Sequence, residues 1–412
     1  MIHVLSTPVL YSLELTPVCN NRCRGCSNVF AEARVARTVP PPLGAAEWGV
    51  VLDHIAPYAE QLKLTGGEPT LHPEFEAIVR RVSDLGLNFT LFTNARWPDP
   101  ERLVHFLADV PQCVGLLVSL HGPTAPVHEA FTGVPGSFEE TVANIRLATS
   151  AGLLVATSTV ITRQSHDRIA ETVALAADLG ADHAVVSRYL GEPLPDVEPT
   201  VGELLTAVHT IEELRRSGAR VRYGDCIPQC FVENSSTGCL AGVAYCAIDP
   251  WGNLRPCNHS PTVAGSLLNQ PVETLWHSAA MEQWRSLIPA ACHTCAEFPR
   301  CHGGCRALAE LRPERRDPLV GAPLAQARPP ERLRLYEGLR PVRRYRIRRE
   351  DFGYVLMRGN RIAPLPFEDE PILEACDGQT TLRQIERRFG QHGLSLVAAL
   401  YRKGLLELEP AA

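Results

Sequence analysis

Short apolar runs alternate with amphipathic stretches through the first 190 residues of the chain. In stretches such as 72–86 and 137–152, apolar residues recur at spacings of three and four, which is the helical period. Ser137 followed by Glu140 is a capping-box signature and predicts a helix start. The strand-like runs are 10–15, 61–67, 87–94, 114–122, 153–162 and 181–190. Six β-α units predict an α/β fold, a partial (β/α)6 barrel of TIM type on a parallel sheet.

The pattern changes after about residue 195. A proline-rich connection leads to a helical stretch at 201–218, and a cysteine-rich region follows. Residues 311–341 are rich in Pro and Arg, which predicts a linker. Short alternating runs and then helical periods predict a small winged-helix-like α+β domain at the end. We therefore predict a barrel at 1–200, a cysteine-rich domain at 201–325 and a small domain at 340–412.

Composition narrows the class of protein. The 412 residues are 45% hydrophobic and 21% charged, with a net charge of −6, which is typical of a globular protein. This balance argues against a general binder of nucleic acid or membrane surfaces. No apolar run reaches the roughly 20 residues that span a bilayer. The N-terminus has no signal-peptide pattern, so we expect a cytoplasmic protein.

The fourteen cysteines are many for that compartment, and they cluster. Three lie at 19–26 and nine lie between Cys226 and Cys305. Disulfides are rare in the cytoplasm, so this clustering indicates metal or redox chemistry. Cys113 and Cys376 stand alone beside apolar segments, and we predict that both are core residues.

The first cysteine cluster follows the first predicted strand with the spacing C-x3-C-x2-C. A structural zinc site takes four ligands, and a cubane iron–sulfur cluster is normally held by four thiolates. Three thiolates leave one metal position open, which a catalytic cluster needs if a substrate is to bind the metal. The next predicted strand ends in LTGGEPTLHP, residues 64–73.

Together, these two motifs resemble those of the radical S-adenosylmethionine (SAM) superfamily, and the resemblance covers roughly residues 8–190. It implies that Cys19, Cys23 and Cys26 hold a [4Fe–4S] cluster whose fourth iron binds SAM. An electron from that cluster would cleave SAM, and the resulting 5′-deoxyadenosyl radical would take a hydrogen atom from the substrate. An external reductant such as flavodoxin or ferredoxin would supply the electron.

The same resemblance implies further SAM-binding residues, namely Gly66, Gly67, Glu68, Pro69, Asn94 and Ser119. Glycines let the backbone approach a ligand closely, and Pro69 fixes the turn. The Glu68 carboxylate can accept hydrogen bonds from the SAM ammonium group. His121 and His128 either lie near the substrate or are ordinary histidines at the edge of the core.

Two further cysteine motifs follow. Residues 239–257 fit C-x12-G-x4-C, and residues 292–305 fit C-x2-C-x5-C-x3-C. They resemble the SPASM extension of radical SAM enzymes that modify peptides, which holds two auxiliary [4Fe–4S] clusters. The resemblance assigns the first cluster to Cys239, Cys257 and Cys305, with Cys246 as an internal ligand, and the second to Cys292, Cys295 and Cys301.

The second auxiliary cluster lacks its last expected ligand. The motif closes with D-P-x-C, but the chain has Val320 at the cysteine position. Asp317, Cys226 and Cys230 are alternative ligands, and an open iron is a fourth alternative. A pair of zinc ribbons is the alternative for the whole region, because C-x2-C pairs suit zinc.

Residues 341–412 resemble the PqqD-like fold, a recognition element that binds leader peptides of ribosomally synthesised, modified peptides. The resemblance lies in FGYVLMRGNRIAPL (352–365) and ILEACDGQTTLRQIERRFG (372–390). Such domains add the peptide as a strand at a sheet edge, and the basic segment 340–351 suits an acidic leader. Alternatively, the basic face protects an exposed edge, or the domain is a relic that only packs on the barrel.

These features predict a radical SAM/SPASM maturase that crosslinks or oxidises a ribosomally made peptide or protein. One alternative is a radical SAM enzyme that acts on a tetrapyrrole or another small cofactor precursor. Another is a non-catalytic iron–sulfur or zinc module. The expected partners are a precursor peptide, captured by the C-terminal domain, and the external reductant. We expect neither nucleic acid nor membrane as a partner.

Overall fold

The computed structural model describes residues 2–30, 40–224, 227–233, 235, 238–321 and 336–410. The chain forms two compact units, Met1–Arg328 and Pro329–Ala412. The predicted boundary near residue 200 falls inside the first unit, where later strands extend the same sheet. Among the described residues, no helix has the length and apolar character needed to cross a membrane.

The first unit is built on one open ten-stranded sheet. Its strands are β1 (Leu10–Glu14), β2 (Gln61–Thr65), β3 (Phe89–Thr93), β4 (Cys113–Ser119), β5 (Val155–Val160), β6 (His183–Ser187), β7 (Val221–Tyr223), β8 (Tyr245–Ile248), β9 (Asn253–Arg255) and β10 (Gly265–Ser266). They lie in the order β10-β9-β8-β1-β2-β3-β4-β5-β6-β7. From β8 to β7 in this order all neighbours are parallel, whereas β9 and β10 pair antiparallel.

The six predicted strands correspond to β1 to β6, so the predicted α/β fold on a parallel sheet is confirmed. Sequence reasoning missed β7 and β8, because three or four residues are too few for a period to show. Strand β8 pairs with β1, with Leu10 opposite Tyr245 and Leu13 opposite Ile248. The cysteine-rich region therefore contributes a strand to the barrel sheet itself.

Helices cover the sheet and follow the strands in turn. They are α1 (Ala45–Ile55), α2 (Phe75–Asp84), α3 (Pro100–Ala108), α4 (Ala125–Thr132), α5 (Ser137–Ser150), α6 (Ile169–Asp178), α7 (Val201–Arg216), α8 (Val272–Trp276), α9 (Ala279–Arg285), α10 (Phe298–Cys301) and α11 (Arg306–Leu311). The helix start predicted at Ser137 is confirmed, but the capping box is absent because the N-cap of α5 is Gly136. The buried Ser137 hydroxyl instead pairs with that of Thr132, 2.7 Å away.

The two faces of the strands differ in polarity. One face packs against the helices, and its fully buried members include Leu13, Leu64, Leu91, Val118 and Val186. Each such burial stabilises the fold by roughly 1.5–3 kcal/mol. Alternate positions point to the opposite face, which carries polar residues that include Ser12, Glu14, Lys63, Ser119, Ser158 and Ser187. This polar face is the inner face of the partial barrel.

The second unit is a small α+β fold. A three-stranded antiparallel sheet comprises β12 (Arg346–Glu350), β13 (Gly353–Arg358) and β14 (Arg361–Pro366), with β13 in the centre. Strands β11 (Arg340–Arg343) and β15 (Leu406–Glu409) form a separate pair, and the helices are α12 (Glu370–Ala375) and α13 (Leu382–Arg402). Cys376 is fully buried in this unit's core, as predicted.

Candidate active site

The predicted site residues follow the C-terminal ends of β1 to β4. The ends of parallel strands meet at one edge of a sheet, so the loops that follow them become neighbours. Backbone hydrogen bonds join the first two loops directly. The Gly67 N–H donates to the Thr16 carbonyl and the Glu68 N–H to the Val18 carbonyl, both at 2.7 Å. The GGEP segment is thereby held against the approach to the cysteine loop.

This close approach requires glycine at two positions. A Cβ atom on Gly67 would lie 2.2 Å from the Val18 carbonyl oxygen, and one on Gly66 would lie 2.5 Å from that of Thr16. Gly66 also has a φ of +145°, a conformation that side chains disfavour. The close contact between the two loops therefore explains why glycine occupies both positions.

Glu68 lies inside the protein and joins the ends of β2 and β3. Its carboxylate is fully buried and accepts hydrogen bonds from the Asn94 N–H at 2.7 Å and the Thr93 hydroxyl at 2.8 Å. The Thr70 hydroxyl and N–H donate to the same carboxylate at 2.8 and 3.3 Å. Burial raises the pKa of Glu68, and these hydrogen bonds oppose the rise. In this structure the Glu68 carboxylate organises the loops, and Pro69 begins a short 3₁₀ turn beside it.

Asn94 contacts the cysteine loop. Its side-chain amide donates to the Asn20 side-chain oxygen at 2.7 Å and to the Cys19 sulfur at 3.7 Å. The Asn21 N–H also donates to the Cys19 sulfur, at 3.4 Å. Hydrogen bonds to sulfur favour the thiolate form, which is the form that binds iron.

Sequence reasoning missed Arg96, which holds the same loop. Its guanidinium donates to the Asn20 carbonyl at 2.8 Å and to the Asn21 side chain at 2.9 Å. Glu140 on α5 pairs with the guanidinium at 3.0 Å. The only signal in the sequence is a charged residue just after the third strand, which does not distinguish Arg96 from other surface arginines.

The far side of the cysteine loop is anchored on α4. The Arg22 N–H donates to the Thr132 carbonyl at 2.9 Å and the Arg24 N–H to the Phe131 carbonyl at 2.8 Å. Cys23 packs against a small apolar cluster that contains Phe131 and Tyr189. The loop is therefore fixed on both sides, and its three cysteines are all half-buried.

His121 and His128 join β4, α4 and β5. The His121 Nδ1 accepts from the Val160 N–H at 3.3 Å, and the His128 Nδ1 accepts from the His121 N–H at 3.2 Å. Burial lowers the pKa of His121 to about 3, with a contribution from His128, and lowers that of His128 to about 4. Both rings are therefore neutral at pH 7 and make the contacts expected of histidines at the edge of the core.

Ser119 lies half-buried at the end of β4, opposite Ser158 of β5. Val118 and Leu120 on either side are buried in the helix-facing core, so Ser119 belongs to the inner face of the barrel. On the same face, the Lys63 ammonium lies 4.7 Å from the centre of the Tyr245 ring and 5.4 Å from that of Phe92. The assignment of Ser119 to a SAM site stays a prediction.

Cys257 and Cys305 are buried together with Trp284, and the half-buried Cys239 packs against them. Burial raises the pKa of the Cys257 thiol well above its usual value, and the neighbouring Cys305 and Cys239 thiols raise it further. Three thiols so placed repel one another as thiolates unless a cationic centre lies between them. Their donor type and grouping fit an iron–sulfur cluster.

His259 links this group to the first cysteine loop. Its N–H donates to the Cys257 sulfur at 3.2 Å, and its Nδ1 lies 3.3 Å from the carbonyl oxygen of Ser27, the residue after Cys26. Asn258 beside it donates to Glu14 at the end of β1, at 3.0 Å, and Glu14 is also paired with the fully buried Arg255. Sequence reasoning singled out none of these residues.

The structure does not bring Cys246 to the group. Successive residues of β8 face opposite sides, so Tyr245 packs beside Cys239 while Cys246 is fully buried in the main core. The sequence motif places Cys246 between two ligands, but the strand turns its side chain away from them. Cys113 is partly buried against the same core, as expected of a core residue, and burial raises the pKa of its thiol to about 11.

The second group contains Cys292, Cys295 and Cys301. Burial, with smaller contributions from the nearby Cys301, Cys230, Cys295 and Asp317, raises the pKa of Cys292 to about 11. Cys226 lies outside the described residues. Within the part of the chain that the structure describes, no three His, Cys, Asp or Glu side chains are close enough to hold a single metal ion.

Comparisons with known proteins agree with these motifs. Residues 13–185 match the family model of the Radical SAM superfamily, and residues 239–302 match that of SPASM, described as an iron-sulfur cluster-binding domain. The chain is 29% identical over 342 residues to an AdoMet-dependent heme synthase of Methanosarcina barkeri, across 75% of this chain and 94% of that protein. It is 28% identical over 324 residues to the mycofactocin maturase MftC of Mycobacterium ulcerans, across 74% and 85%.

The fold is also that of a solved structure. The crystal structure of Streptococcus suis SuiB bound to the precursor peptide SuiA matches with a TM-score of 0.63 and 18% identity, across 77% of this chain and 76% of SuiB. The open three-cysteine loop, the grouped distal cysteines and both family matches agree with one another. The chain therefore contains a radical SAM domain and a SPASM domain, and it is a radical SAM enzyme that uses SAM and [4Fe–4S] clusters.

Proposed function

We propose that this enzyme modifies a ribosomally synthesised peptide or protein, by forming a crosslink or by oxidation. The observation that carries the proposal is the second compact unit, whose small sheet has an edge strand suited to peptide pairing. The likeness in fold to SuiB, whose crystal structure contains the precursor peptide SuiA, supports the same substrate class. An external reductant such as flavodoxin or ferredoxin is part of the proposal.

Cys19, Cys23 and Cys26 would hold the SAM-binding cluster. The fit rests on three half-buried thiols on a loop that is anchored on both sides, and on the hydrogen bonds from Asn94 and Asn21 to the Cys19 sulfur. When bound, the cluster and SAM supply one-electron cleavage of SAM and thereby hydrogen-atom abstraction. Gly66 and Gly67 keep the β2 loop close to this site, and Glu68 fixes that loop to the end of β3.

The inner face of the barrel would hold the substrate segment. Its polar residues offer hydrogen bonds at the level of the strand ends, and the Lys63 ammonium lies among the Tyr245 and Phe92 rings. A cation beside aromatic faces can bind a carboxylate and an apolar group of one substrate. We assign Lys63 the role of orienting the substrate, and we keep Ser119 as a proposed SAM contact.

The peptide would pair with β12 of the second unit. An edge strand offers a row of backbone donors and acceptors for strand addition. The opposite edge, β14, contains Pro364 and Pro366, which have no N–H to donate. On β12 the side chain of Ile347 is 51% exposed, which provides an apolar contact for an incoming strand.

The basic charge of segment 340–351 contributes less to peptide affinity than the sequence suggests. Arg344 pairs with Glu407 at 2.7 Å, and Arg348 pairs with the buried Glu350. These pairs neutralise part of the arginine-rich segment. We therefore propose main-chain pairing and the Ile347 contact, rather than attraction of an acidic leader, as the main source of affinity.

A specific observation also favours a second substrate class. The heme synthase of Methanosarcina barkeri aligns with this chain over 94% of its own length. A tetrapyrrole has peripheral carboxylates and a large apolar ring, and the Lys63 group suits both features. A tetrapyrrole or a similar small cofactor precursor is therefore the alternative substrate.

One experiment separates the two classes. The reconstituted enzyme is given SAM, a reductant and either a short peptide encoded beside its gene or a porphyrin that carries peripheral carboxylates, and products are analysed by mass spectrometry. With the parent enzyme we expect a mass change in the peptide. The Ile347→Asp variant should bind the peptide about tenfold (1.4 kcal/mol) more weakly. Leu154→Asp, at a 64% exposed apolar residue of the first unit, is the control. Conversion of the porphyrin alone would reject the peptide proposal.

A further inference from the structure

A fourth cysteine lies beside the second SPASM group. The Gln229 N–H donates to the Cys301 sulfur at 3.4 Å, which places the segment that contains Cys230 against this group. Cys230 lies 62 residues before Cys292 in the chain, so no spacing motif would include it.

Cys230 also lies beside the segment in which the motif expects its last cysteine. Its thiol is 4.0 Å from the carbonyl oxygen of Leu319, the residue before Val320. Val320 occupies the cysteine position of the motif and lies next to Gly304, where an added Cβ would come within 3.1 Å of the valine side chain. The thiol that the chain lacks at residue 320 is thus available from another segment.

The Asp317 carboxylate already forms a buried ion pair with Arg188. Its two carboxylate oxygens accept from the Arg188 guanidinium at 2.9 and 2.6 Å, with both side chains almost completely buried. The Cys305 N–H donates to the same carboxylate at 2.7 Å and the Leu319 N–H at 2.9 Å. Binding iron would break part of this set and leave the buried Arg188 charge without its partner, which is costly.

We propose that Cys230 is the fourth ligand of the iron–sulfur cluster held by Cys292, Cys295 and Cys301. Val320 occupies the position of the motif cysteine in the sequence, and Cys230 supplies the missing thiolate from another segment. The cluster then has four thiolate ligands and no open iron, so its role is electron transfer or structure rather than substrate binding. The inference rests on the SPASM cluster and not on the identity of the substrate.

The test uses the full chain with Cys19, Cys23 and Cys26 changed to alanine, so that only auxiliary clusters remain. After anaerobic reconstitution this protein should hold about eight iron atoms, four for each cluster. Adding Cys230→Ala should remove about four of them or give the EPR signal of a three-iron cluster. Adding Cys113→Ala, at a partly buried cysteine outside both groups, should leave iron and spectrum unchanged.

A second variant guards against a folding defect. Cys230→Ser keeps the size of the side chain and an oxygen ligand, so we expect a retained cluster with a changed EPR spectrum and reduction potential. The far-UV circular dichroism of each variant is compared with that of its parent. An unchanged iron count and spectrum in both Cys230 variants would overturn the proposal, as would loss of the cluster in Cys226→Ala but not in Cys230→Ala. None of these readouts requires substrate, so the result is independent of the proposed function.

Discussion

The side-chain amide of Asn94 donates a hydrogen bond to the sulfur of Cys19 at 3.7 Å, and so joins the end of β3 to the cysteine loop. Hydrogen bonds to cluster sulfurs raise the reduction potential, because they stabilise the extra negative charge of the reduced state. We expect Asn94→Ala to lower the potential of the SAM-binding cluster by an amount on the order of tens of millivolts. EPR-monitored redox titration measures this shift.

The matched control for that variant is Asn144→Ala. Asn144 is also a buried asparagine, but its amide donates to the Ala95 carbonyl at 2.8 Å and not to a sulfur. An equal shift in both variants would show that the effect comes from general loosening of the loops.

Cys23 is the central thiol of the open cluster site. Cys23→Ala should abolish SAM cleavage, because two thiolates do not hold a cubane cluster. Formation of 5′-deoxyadenosine after reduction, measured by chromatography, is the readout. Cys113→Ala should retain activity, and activity in Cys23→Ala equal to that of the parent would refute the assignment.

The Gly67 position has no space for a side chain. Gly67→Ala should separate the β2 loop from the cysteine loop, because its Cβ would meet the Val18 carbonyl oxygen at 2.2 Å. We expect weaker SAM binding and a loss of roughly 1–3 kcal/mol in the free energy of unfolding. Calorimetry and denaturant titration measure the two effects.

The same substitution on α1 should have the opposite sign. A Cβ on Gly49 meets no atom within 4 Å, and the residue lies inside a helix. Gly49→Ala should therefore stabilise the protein by roughly 0.5–1 kcal/mol. Equal destabilisation by both variants would contradict the steric account.

The Arg188–Asp317 ion pair is buried. Asp317→Asn should lower the free energy of unfolding by about 3–5 kcal/mol, because it leaves the buried Arg188 charge without a counter-charge. The exposed Arg24–Asp196 pair provides the comparison, and Asp196→Asn should leave the unfolding midpoint within error. Asp317→Asn protein that remains folded should keep its iron content, because Asp317 is not one of the proposed cluster ligands.

His121 should make stability depend on pH. Its pKa is lowered to about 3 by burial, whereas an unfolded histidine titrates near 6.5, so its contribution is complete above pH 6.5 and is lost as pH falls toward 3. Between pH 7.5 and 5.5 we expect a loss of about 1 kcal/mol for this residue. Anaerobic denaturant titration at several pH values should show a shallower dependence in His121→Gln. His105→Gln, at an exposed side chain, should keep the slope of the parent.

Local hydrophobic patterns in the sequence were sufficient to predict much of the fold. Strands β1 to β6 were predictable because each has enough residues for a hydrophobic run to stand out, whereas the short β7 and β8 do not. The second unit's strands 353–358 and 361–366 were likewise predictable. The capping box at Ser137 failed because the burial of its hydroxyl against Thr132 overrides the local signal.

The sequence by itself determined the chemistry of the open cluster site, because all three cysteines lie within eight residues and their spacing is a local property. Tertiary structure alone decided which residues surround each cysteine. It buried Cys246 in the main core, paired Asp317 with Arg188 and placed the segment that contains Cys230 beside the second group. The physical reason is that these contacts join segments separated by tens of residues, and the packing of strands and loops, not any period in the chain, sets their distances.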